Sequence, residues 1–488
     1  MEIINFINNL DNSLSEKKSK FNSVSDIEKK KIYPFLESDD TDDITFEFLV
    51  DANVNKDRYE LTDLEMIYFQ RKVCNFIKKN ENVVKNYIDP YNVTRVSPLS
   101  LINFTFDNET ISKNDLIKNK DFSYVKNHNK IEKLGIYLLP KEASPAFKNF
   151  KMVINFLKKH FDLYIFLENN EYDMDECDKF ILSNTNHYYI ANKSDGELFD
   201  FIYDKQLTLL ISIYGFWKRQ NTFKGKPVPV MVNYLEPSII YPTYFYDYNL
   251  VDEHIDEVLK TVLDTNKFKT MVLKDTFIFP IPYYSNFKTL KDPVYNPEDI
   301  RLGVILHGAK ISYKLVKLLK EIISISPKIK LTIYGYFKDG WVKKLFDSDQ
   351  VVHDKYDHKN PDKLLDNILY IDTIIYNNHS TALELLKLRR PLISYFNNKT
   401  YHGSFSQSII KNINMEKYLL AKNITQYKKL VELYISNEKT YNKLYQKFVK
   451  NIDDSKILSF ENYAEKLANS LNDSFNNDIK INNELYKN

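Results

Sequence analysis

The stretch from Ile368 to Tyr395 alternates between short apolar runs and polar segments. Ile368 to Ile371 is apolar and partly β-branched, as a buried parallel strand requires. A polar loop covers 377–381, and helical spacing of apolar residues then continues until Pro391 ends it. Leu392 to Tyr395 is apolar again. The pattern predicts a strand, a loop, a short helix and a second strand, in that order.

An earlier stretch has the same order of elements. Arg301 to Leu306 is predicted to be a strand, and His307 to Lys310 a polar turn. The apolar spacing from Ile311 to Ser324 predicts a helix, and Lys328 to Tyr334 the next strand. Two such units in series are typical of a doubly wound domain, which binds ligands at the carboxyl ends of its strands.

The polar residues of these loops indicate a phosphate site. Thr381 with Glu384 fits a capping box, which predicts a helix beginning at Thr381. Free N–H groups at that helix start, the hydroxyl of Ser380 and the imidazole of His379 are groups that hold phosphate. Lys310, in the earlier loop, is a point charge suited to a diphosphate. Each residue alone is also explained by a solvated or capping role, but together they favour a nucleotide sugar. Because the chain has no G-x-G-x-x-G and no Walker A motif, the dinucleotide and P-loop interpretations are weak.

Glycine positions and composition shifts divide the chain into regions. All nine glycines fall between Gly135 and Gly403, which marks the part with tight strand–loop–helix turns. Prolines crowd a polar stretch between the two α/β parts, as in a linker. The predicted regions are a mostly helical N-terminal region (1–125), a first α/β lobe (131–285), a second α/β lobe (298–415) and C-terminal helices (424–475).

Composition limits the class of protein. A length of 488 residues predicts two or three domains, and 43% apolar residues suffice for large cores. The net charge of +2 gives no strong attraction to nucleic acid or anionic membrane. Two cysteines make neither a disulfide framework nor a zinc site, which fits a reducing compartment. No run of 18 apolar residues and no signal peptide is evident, so we expect a cytoplasmic protein with no transmembrane segment.

The motif residues carry a resemblance to a known family. In order and spacing, four segments are similar to the O-linked N-acetylglucosamine transferase family, which includes the bacterial cytoplasmic N-glycosyltransferases. The similarity covers about 131–440, with sparse identity. The four segments are 229–252, 303–310, 371–393 and 427–434.

The resemblance implies a fold and a donor site. The fold would be GT-B, with two Rossmann-like lobes, an N-terminal mostly helical region and a C-terminal helical tail. The first lobe would be the acceptor side and the second the nucleotide-sugar side. Lys310 would contact the diphosphate of a UDP-sugar, and His379, Ser380 and Thr381 would hold phosphate oxygens. Glu384 would reach the ribose hydroxyls, where the family usually has aspartate. His358 would match a histidine on the uridine side, and His307 shares the turn of Lys310.

One loop departs from the family pattern. The family carries a histidine near the active site in the loop after the first strand, whereas this chain has Pro140 to Pro145 with no histidine. Glu142 is the only carboxylate there and the candidate catalytic base, with Lys141 as an alternative. Residues 1–125 show no 34-residue period, so tetratricopeptide repeats are not expected and the acceptor would be chosen differently.

The leading hypothesis is a glycosyltransferase that moves a sugar from a UDP-sugar to a protein acceptor, at Ser/Thr or Asn. No cofactor or metal is expected, because helix N-termini and a lysine can stabilise the leaving UDP. The aspartate clusters at 39–43 and 173–175 are then not needed as metal ligands. The alternative is a non-catalytic GT-B-like scaffold or chaperone for a partner glycosyltransferase subunit. Glycosylation of lipid or DNA is disfavoured, since the first lobe has no basic run and no amphipathic membrane helix stands out.

Overall fold

The structure is a computed structural model that describes most of the chain after residue 121. The described residues are 122–125, 130–138, 145–168, 179, 182–213, 219, 222–223, 225–234, 246–262, 269–280, 291–306, 313–335, 342, 346, 348–356, 361–374, 377–396 and 404–482. The predicted N-terminal helical region therefore lies outside the described residues, except for one 3₁₀ turn at Ser123–Val125.

The described residues form two compact units. One unit contains the described residues of 107–285 and 452–488, and the other those of 286–451. We call them the first unit and the second unit. Each is built around its own parallel sheet.

The sheet of the first unit has seven strands in the order β3-β2-β1-β4-β5-β6-β7. Its pairings are parallel throughout, from β2 against β3 to β6 against β7. The strands are β1 (Lys133–Leu138), β2 (Asp162–Leu167), β3 (Asn186–Tyr189), β4 (Leu209–Ile213), β5 (Met231–Tyr234), β6 (Tyr248–Asp252) and β7 (Thr270–Leu273), and the helices between them are α1 (Pro145–Leu157), α2 (Asp195–Tyr203) and α3 (Glu253–Val262).

The sheet of the second unit has six strands in the order β10-β9-β8-β11-β12-β13, again with parallel pairs. A 3₁₀ segment, Pro361–Asp366, leads into β11. The strands are β8 (Ile300–Ile305), β9 (Ile329–Tyr334), β10 (Val351–Asp354), β11 (Leu369–Ile371), β12 (Leu392–Tyr395) and β13 (Leu420–Ala421), and the helices are α4 (Tyr313–Ile323), α5 (Ser380–Lys387), α6 (Phe405–Asn412), α7 (Glu416–Leu419) and α8 (Ile424–Ile435).

The C-terminal helices are shared between the units. Helix α9 (Glu438–Ser455) begins in the second unit, and the division falls after Asn451. Helix α10 (Phe460–Asn482) belongs to the first unit, where Ser470 Oγ donates to the Val272 carbonyl at 3.0 Å. Among the described helices, none is both long and apolar enough to cross a membrane.

The central strands match the sequence prediction because both of their faces are buried. Strand β4 is buried at every residue, and such strands read as continuous apolar runs. The predicted bounds of Leu392–Tyr395 are confirmed, and the strand predicted at Arg301–Leu306 begins and ends one residue earlier.

Strands β3, β6, β7, β10 and β13 have no counterpart in the prediction. Strands β3 and β10 form sheet edges and are exposed or half-buried, so their apolar signal is weak. Strand β6 is buried but polar. Its Asn249 side chain accepts a hydrogen bond from Asn233 Nδ2 of β5 at 3.0 Å. Pairing across the sheet satisfies both amides, and a single strand's pattern does not show that pairing.

Gly303 allows a tyrosine ring to cross strand β8. A Cβ built on Gly303 would overlap the ring of Tyr370, with Cζ at 2.7 Å. The Tyr370 ring is fully buried, and its hydroxyl donates to the Leu364 carbonyl at 2.8 Å. The glycine therefore permits the close approach of β8 and β11 at the centre of the second sheet.

We predict that Gly303→Ala lowers the free energy of unfolding by about 1–3 kcal/mol, because the added methyl group overpacks this contact. Urea unfolding followed by circular dichroism measures the change. Gly196→Ala in α2 is the control, since a Cβ there meets nothing within 4 Å and alanine favours a helix. Equal midpoints for Gly303→Ala and wild type would show that the ring does not occupy this place.

Candidate active site

Each sheet reverses its strand order at one point. In the second unit, β9 follows β8 on one side, whereas β11 lies on the other side of β8. Tyr370 of β11 pairs with Gly303 of β8, so the carboxyl ends of these two strands are neighbours. The first unit reverses in the same way between β1 and β4. Open parallel sheets bind ligands at such switch points, outside the carboxyl ends of the strands.

Asp372 organises the loop that follows β11 at the second switch point. The residue is fully buried. Its Oδ1 accepts the backbone N–H groups of Thr373 and Asn378, at 2.8 and 2.9 Å, and Asn378 Nδ2 at 2.8 Å. Its Oδ2 accepts the hydroxyl of Ser394 in β12 at 2.7 Å. The carboxylate thus closes the loop between β11 and α5 and ties it to the next strand.

Neighbouring elements hold the same loop from two further sides. Ser406, in the first turn of α6, donates its N–H to Asn377 Oδ1 at 3.2 Å and its hydroxyl to the Asn378 carbonyl at 2.6 Å. The hydroxyl of Tyr427 in α8 accepts the N–H of Asp372 at 2.8 Å and lies against the Ile393 carbonyl. The polar loop predicted from the sequence is therefore a fixed part of the core.

Helix α5 begins one residue earlier than the sequence predicted. Its N-cap is His379, whose Nδ1 accepts the N–H of Ser380 at 2.8 Å. The predicted capping box of Thr381 and Glu384 is wrong, because the histidine ring supplies the cap. An accepting Nδ1 places the proton of the neutral imidazole on Nε2, which makes that nitrogen a donor.

The start of α5 presents donors at the switch point. His379, Ser380 and Thr381 are half-buried. The His379 ring lies edge-on to Phe405 of α6, with ring centroids 5.6 Å apart. The N–H groups of Thr381 and Ala382 fall in the first turn, where a helix offers no internal acceptor. This end of the helix dipole favours an anion.

Glu384 lies one turn further along α5 and is buried. Its carboxylate accepts the hydroxyl of Tyr356, which follows the edge strand β10. Burial lowers the pKa of Lys387 at the end of α5, and the charge of Glu384 partly offsets that effect. No sequence pattern indicates the tyrosine contact, since 28 residues separate the partners.

Four predicted site residues lie outside the described residues: His307, Lys310, His358 and Glu142. The elements that precede them are described. The chain leaves β8 at Leu306, next to the loop of Asp372, and it leaves β1 at Leu138, beside β4. Lys310 and Glu142 thus belong to loops that begin at the two switch points.

A buried charged cluster in the first unit was not predicted. Glu168, directly after β2, accepts the hydroxyl of Tyr137 in β1 at 2.8 Å and pairs with the guanidinium of Arg219. Arg219 NH1 also donates to the Lys193 carbonyl at 2.6 Å. Burial and the Glu168 charge raise the pKa of Tyr137 well above its ordinary value. This cluster fixes the carboxyl ends of β1 and β2 and a residue of the segment after β4.

Within the described part of the chain, no three His, Cys, Asp or Glu side chains come together as a metal site requires. The aspartates at 39–43 and 173–175 lie outside that part.

Comparison with known proteins identifies the fold. No family model matches the chain, and no curated protein matches it. Among solved structures, a mutant of the O-GlcNAc transferase of Thermobaculum terrenum matches with a TM-score of 0.63 at 11% identity, over 96% of this chain and 95% of that chain. The protein has the GT-B fold of O-GlcNAc transferase. The fold class and the resemblance predicted from the sequence are therefore confirmed at the level of the fold.

Two further structures are similar over part of the chain. A glycosyltransferase from Rickettsia africae ESF-5 has a TM-score of 0.47 at 12% identity, over 74% of this chain and 100% of that chain. HepE from Anabaena, in complex with UDP-glucose, has a TM-score of 0.43 at 11% identity, over 70% of this chain and 100% of that chain.

We predict that Asp372→Asn lowers the free energy of unfolding by about 2–3 kcal/mol. The amide carries no charge, and its NH2 group would face N–H or O–H donors that now bond to a carboxylate oxygen. Urea unfolding measures this loss. Asp349→Asn, at an exposed aspartate of the same unit, should unfold like wild type. The account of the loop fails if both variants share the wild-type midpoint.

Proposed function

We propose that this protein is a glycosyltransferase that uses a UDP-sugar donor and a protein acceptor, without a metal ion. The donor would bind the second unit at its switch point. The acceptor would be a hydroxyl of Ser/Thr or an amide of Asn.

The observation that carries the proposal is the start of α5. A loop whose described residues are held by the Asp372 carboxylate presents the half-buried His379, Ser380 and Thr381 at the carboxyl end of β11. Such a helix start binds phosphate through its N–H groups and its dipole. Its position at the reversal of strand order is where open α/β sheets bind nucleotides.

The two neighbouring loops support a diphosphate ligand. The loop that contains His307 and Lys310 begins beside β11, at the end of β8. A lysine there would neutralise charge that develops on the leaving diphosphate. Tyr356 contacts Glu384, although β10 is separated from β11 by β9 and β8. The chain after β10 therefore crosses the ends of these strands, which supports a uridine-side role for His358, two residues further on.

Transfer would proceed by attack of the acceptor on the anomeric carbon as the bond to UDP breaks. Lys310 and the α5 N-terminus would stabilise the departing diphosphate, the electrostatic work that a divalent ion does in other enzymes. A base would take the acceptor's proton. Glu142 is the candidate, because its loop begins at the switch point of the first unit.

One sequence feature favours a second candidate function. The loop at 140–145 has no histidine, where the resembling family has one near its active site. A non-catalytic protein that binds a nucleotide sugar and supports a partner glycosyltransferase would explain that difference. Such a protein would bind its partner in the cytoplasm, and it would bind UDP without transferring sugar.

We predict that UDP binds wild-type protein and that Lys310→Ala weakens binding by about 1.5–3 kcal/mol, the scale of a charge-assisted hydrogen bond. Isothermal titration calorimetry measures both affinities. Lys317→Ala, at an exposed lysine of the neighbouring helix α4, is the matched control and should keep the wild-type affinity. Equal UDP affinity in wild type and Lys310→Ala would remove Lys310 from the site.

We predict that sugar transfer, or donor hydrolysis in the absence of acceptor, survives chelation of metal ions by EDTA. Release of UDP from UDP-glucose and UDP-GlcNAc measures the rate. Activity that returns only with manganese or magnesium would contradict the metal-free mechanism.

We predict that Glu142→Gln lowers the rate of transfer about 10²-fold, with UDP affinity unchanged, because the acceptor loses its general base. The same release of UDP measures the rate, and an unchanged rate would show that Glu142 is not the base. Tight UDP binding with no transfer or hydrolysis from any common UDP-sugar would favour the scaffold.

A further inference from the structure

Helix α9 presents a stripe of lysines on one side. Four lysines follow one another at intervals of four, four and three residues, and all are exposed: Lys439, Lys443, Lys447 and Lys450. Residues three and four apart share one side of a helix, so the four ammonium groups form a stripe about 16 Å long. The opposite side of the helix is buried, through Tyr441, Leu444, Tyr445 and Phe448. The packing of that side keeps the lysines directed outward.

A fifth lysine, on helix α7, extends this stripe. The ring of Tyr418 contacts two ammonium groups, since Lys447 Nζ is 4.6 Å and Lys417 Nζ 5.6 Å from its centroid. The ring attracts both cations and so holds them near one another despite their mutual repulsion. Lys417 is exposed as well. We call these five lysines the lysine face.

The lysine face has no acidic partner among the described residues. Two other surface lysines are paired, Lys428 with Glu321 at 3.2 Å and Lys159 with Glu461 at 2.9 Å. None of the five lysines forms such an ion pair with a described carboxylate. Like charges four residues apart also destabilise a helix. A partner with several anionic groups would relieve that repulsion.

The composition of the lysine face favours carboxylates over phosphates. It contains lysine and no arginine, whereas the planar fork of arginine is the preferred group for phosphate recognition. No large apolar side chain of α9 is exposed, so the helix offers nothing to insert into a lipid bilayer. A lysine ammonium is a point charge that a single carboxylate can pair. An acidic polypeptide is therefore the partner that this surface fits.

The chain contains such a polypeptide in its N-terminal region. Residues 32–55 carry seven acidic and no basic side chains, and four of the acids recur at intervals of four residues: Asp39, Asp43, Glu47 and Asp51. This spacing matches the spacing of the lysines in α9. In a helix, which we predict for much of the N-terminal region, it would place the four carboxylates on one side. Carboxylates and lysines would then share a repeat of about 6 Å.

A second acidic stretch, at 171–178, fits less well. It lies between Glu168 and β3, so both of its ends are fixed in the first unit. The segment 39–51 is instead followed by 70 residues before Phe122, where the described chain begins. Even with the short rise of a helix, 70 residues span about 100 Å. The length of chain therefore does not limit where this segment binds.

We propose that the acidic segment 39–51 binds the lysine face within the same molecule. The contact attaches the N-terminal region to the second unit through side chains that the proposed donor site does not use. Because both partners belong to one chain, the local concentration of the segment is high, and several individually weak surface ion pairs suffice. This interface is independent of sugar transfer.

Carbodiimide cross-linking of the full-length protein, read by mass spectrometry, tests the interface. The reagent joins a lysine to a carboxylate only where the two are in contact. In the monomer we expect cross-links between residues 39–51 and the lysines of α9. The double variant Lys443→Glu/Lys447→Glu should lower the yield of cross-links at Lys439 and Lys450 at least about tenfold, because attraction becomes repulsion.

A charge swap separates this contact from chance encounters. Asp39→Lys/Asp43→Lys, added to Lys443→Glu/Lys447→Glu, should restore the cross-links, since the charges are complementary again. The matched control is Lys317→Glu/Lys320→Glu, which reverses two exposed lysines of α4 and should leave the wild-type cross-links unchanged. Circular dichroism verifies that all variants fold.

Three results would overturn the proposal. The first is a folded wild-type monomer with no cross-link between 39–51 and the lysine face. The second is cross-links that lead from the lysine face to 171–178, or that form only between two copies of the chain. The third is binding of phosphatidylserine vesicles that is lost in Lys443→Glu/Lys447→Glu, without the expected cross-links, which would assign the lysine face to lipid phosphates.

Discussion

The second unit depends on one buried carboxylate. Asp372 has no exposed surface, and an ionised group in that position is tolerable only if its hydrogen bonds are satisfied. The donors come from its own loop and from Ser394 of the next strand. Because these bonds are made inside the core, Thr373 and Asn378 are held in place by the interior of the protein, and so is the start of α5, which follows Asn378 directly. The candidate phosphate site is therefore built before any ligand binds.

Topology decides where that start lies. Both sheets follow the same strand order, with the first strand in the centre and a reversal on one side of it. The loops that begin at the two reversals contain the sequence motifs of interest, although Lys310 and Glu142 themselves lie outside the described residues. Each unit also has a buried polar cluster beside its reversal, formed by Asp372 in one and by Glu168 with Arg219 in the other. In both units, buried polar contacts hold the ends of the strands from which these loops begin.

The sequence predicted the parts of the fold that single segments determine. A buried strand has an apolar run of its own length, and β12 was predicted at its exact bounds. The start of α5 was misplaced because its cap is an imidazole nitrogen of His379, which the usual capping pattern does not contain. The partners of Asp372 and Tyr356 could not be predicted, since those contacts join segments that only the folded chain brings together.

The claim that the second switch point binds a nucleoside diphosphate is tested most directly by amide hydrogen exchange with and without saturating UDP. The N–H groups of Thr381 and Ala382 have no acceptor within the helix, so a bound phosphate should be what protects them. We predict slowing of at least about tenfold at Thr381 and Ala382 when UDP is bound, as expected when a new hydrogen bond must open for exchange. UDP binding that leaves exchange at these residues unchanged, with protection only elsewhere in the chain, would contradict the account.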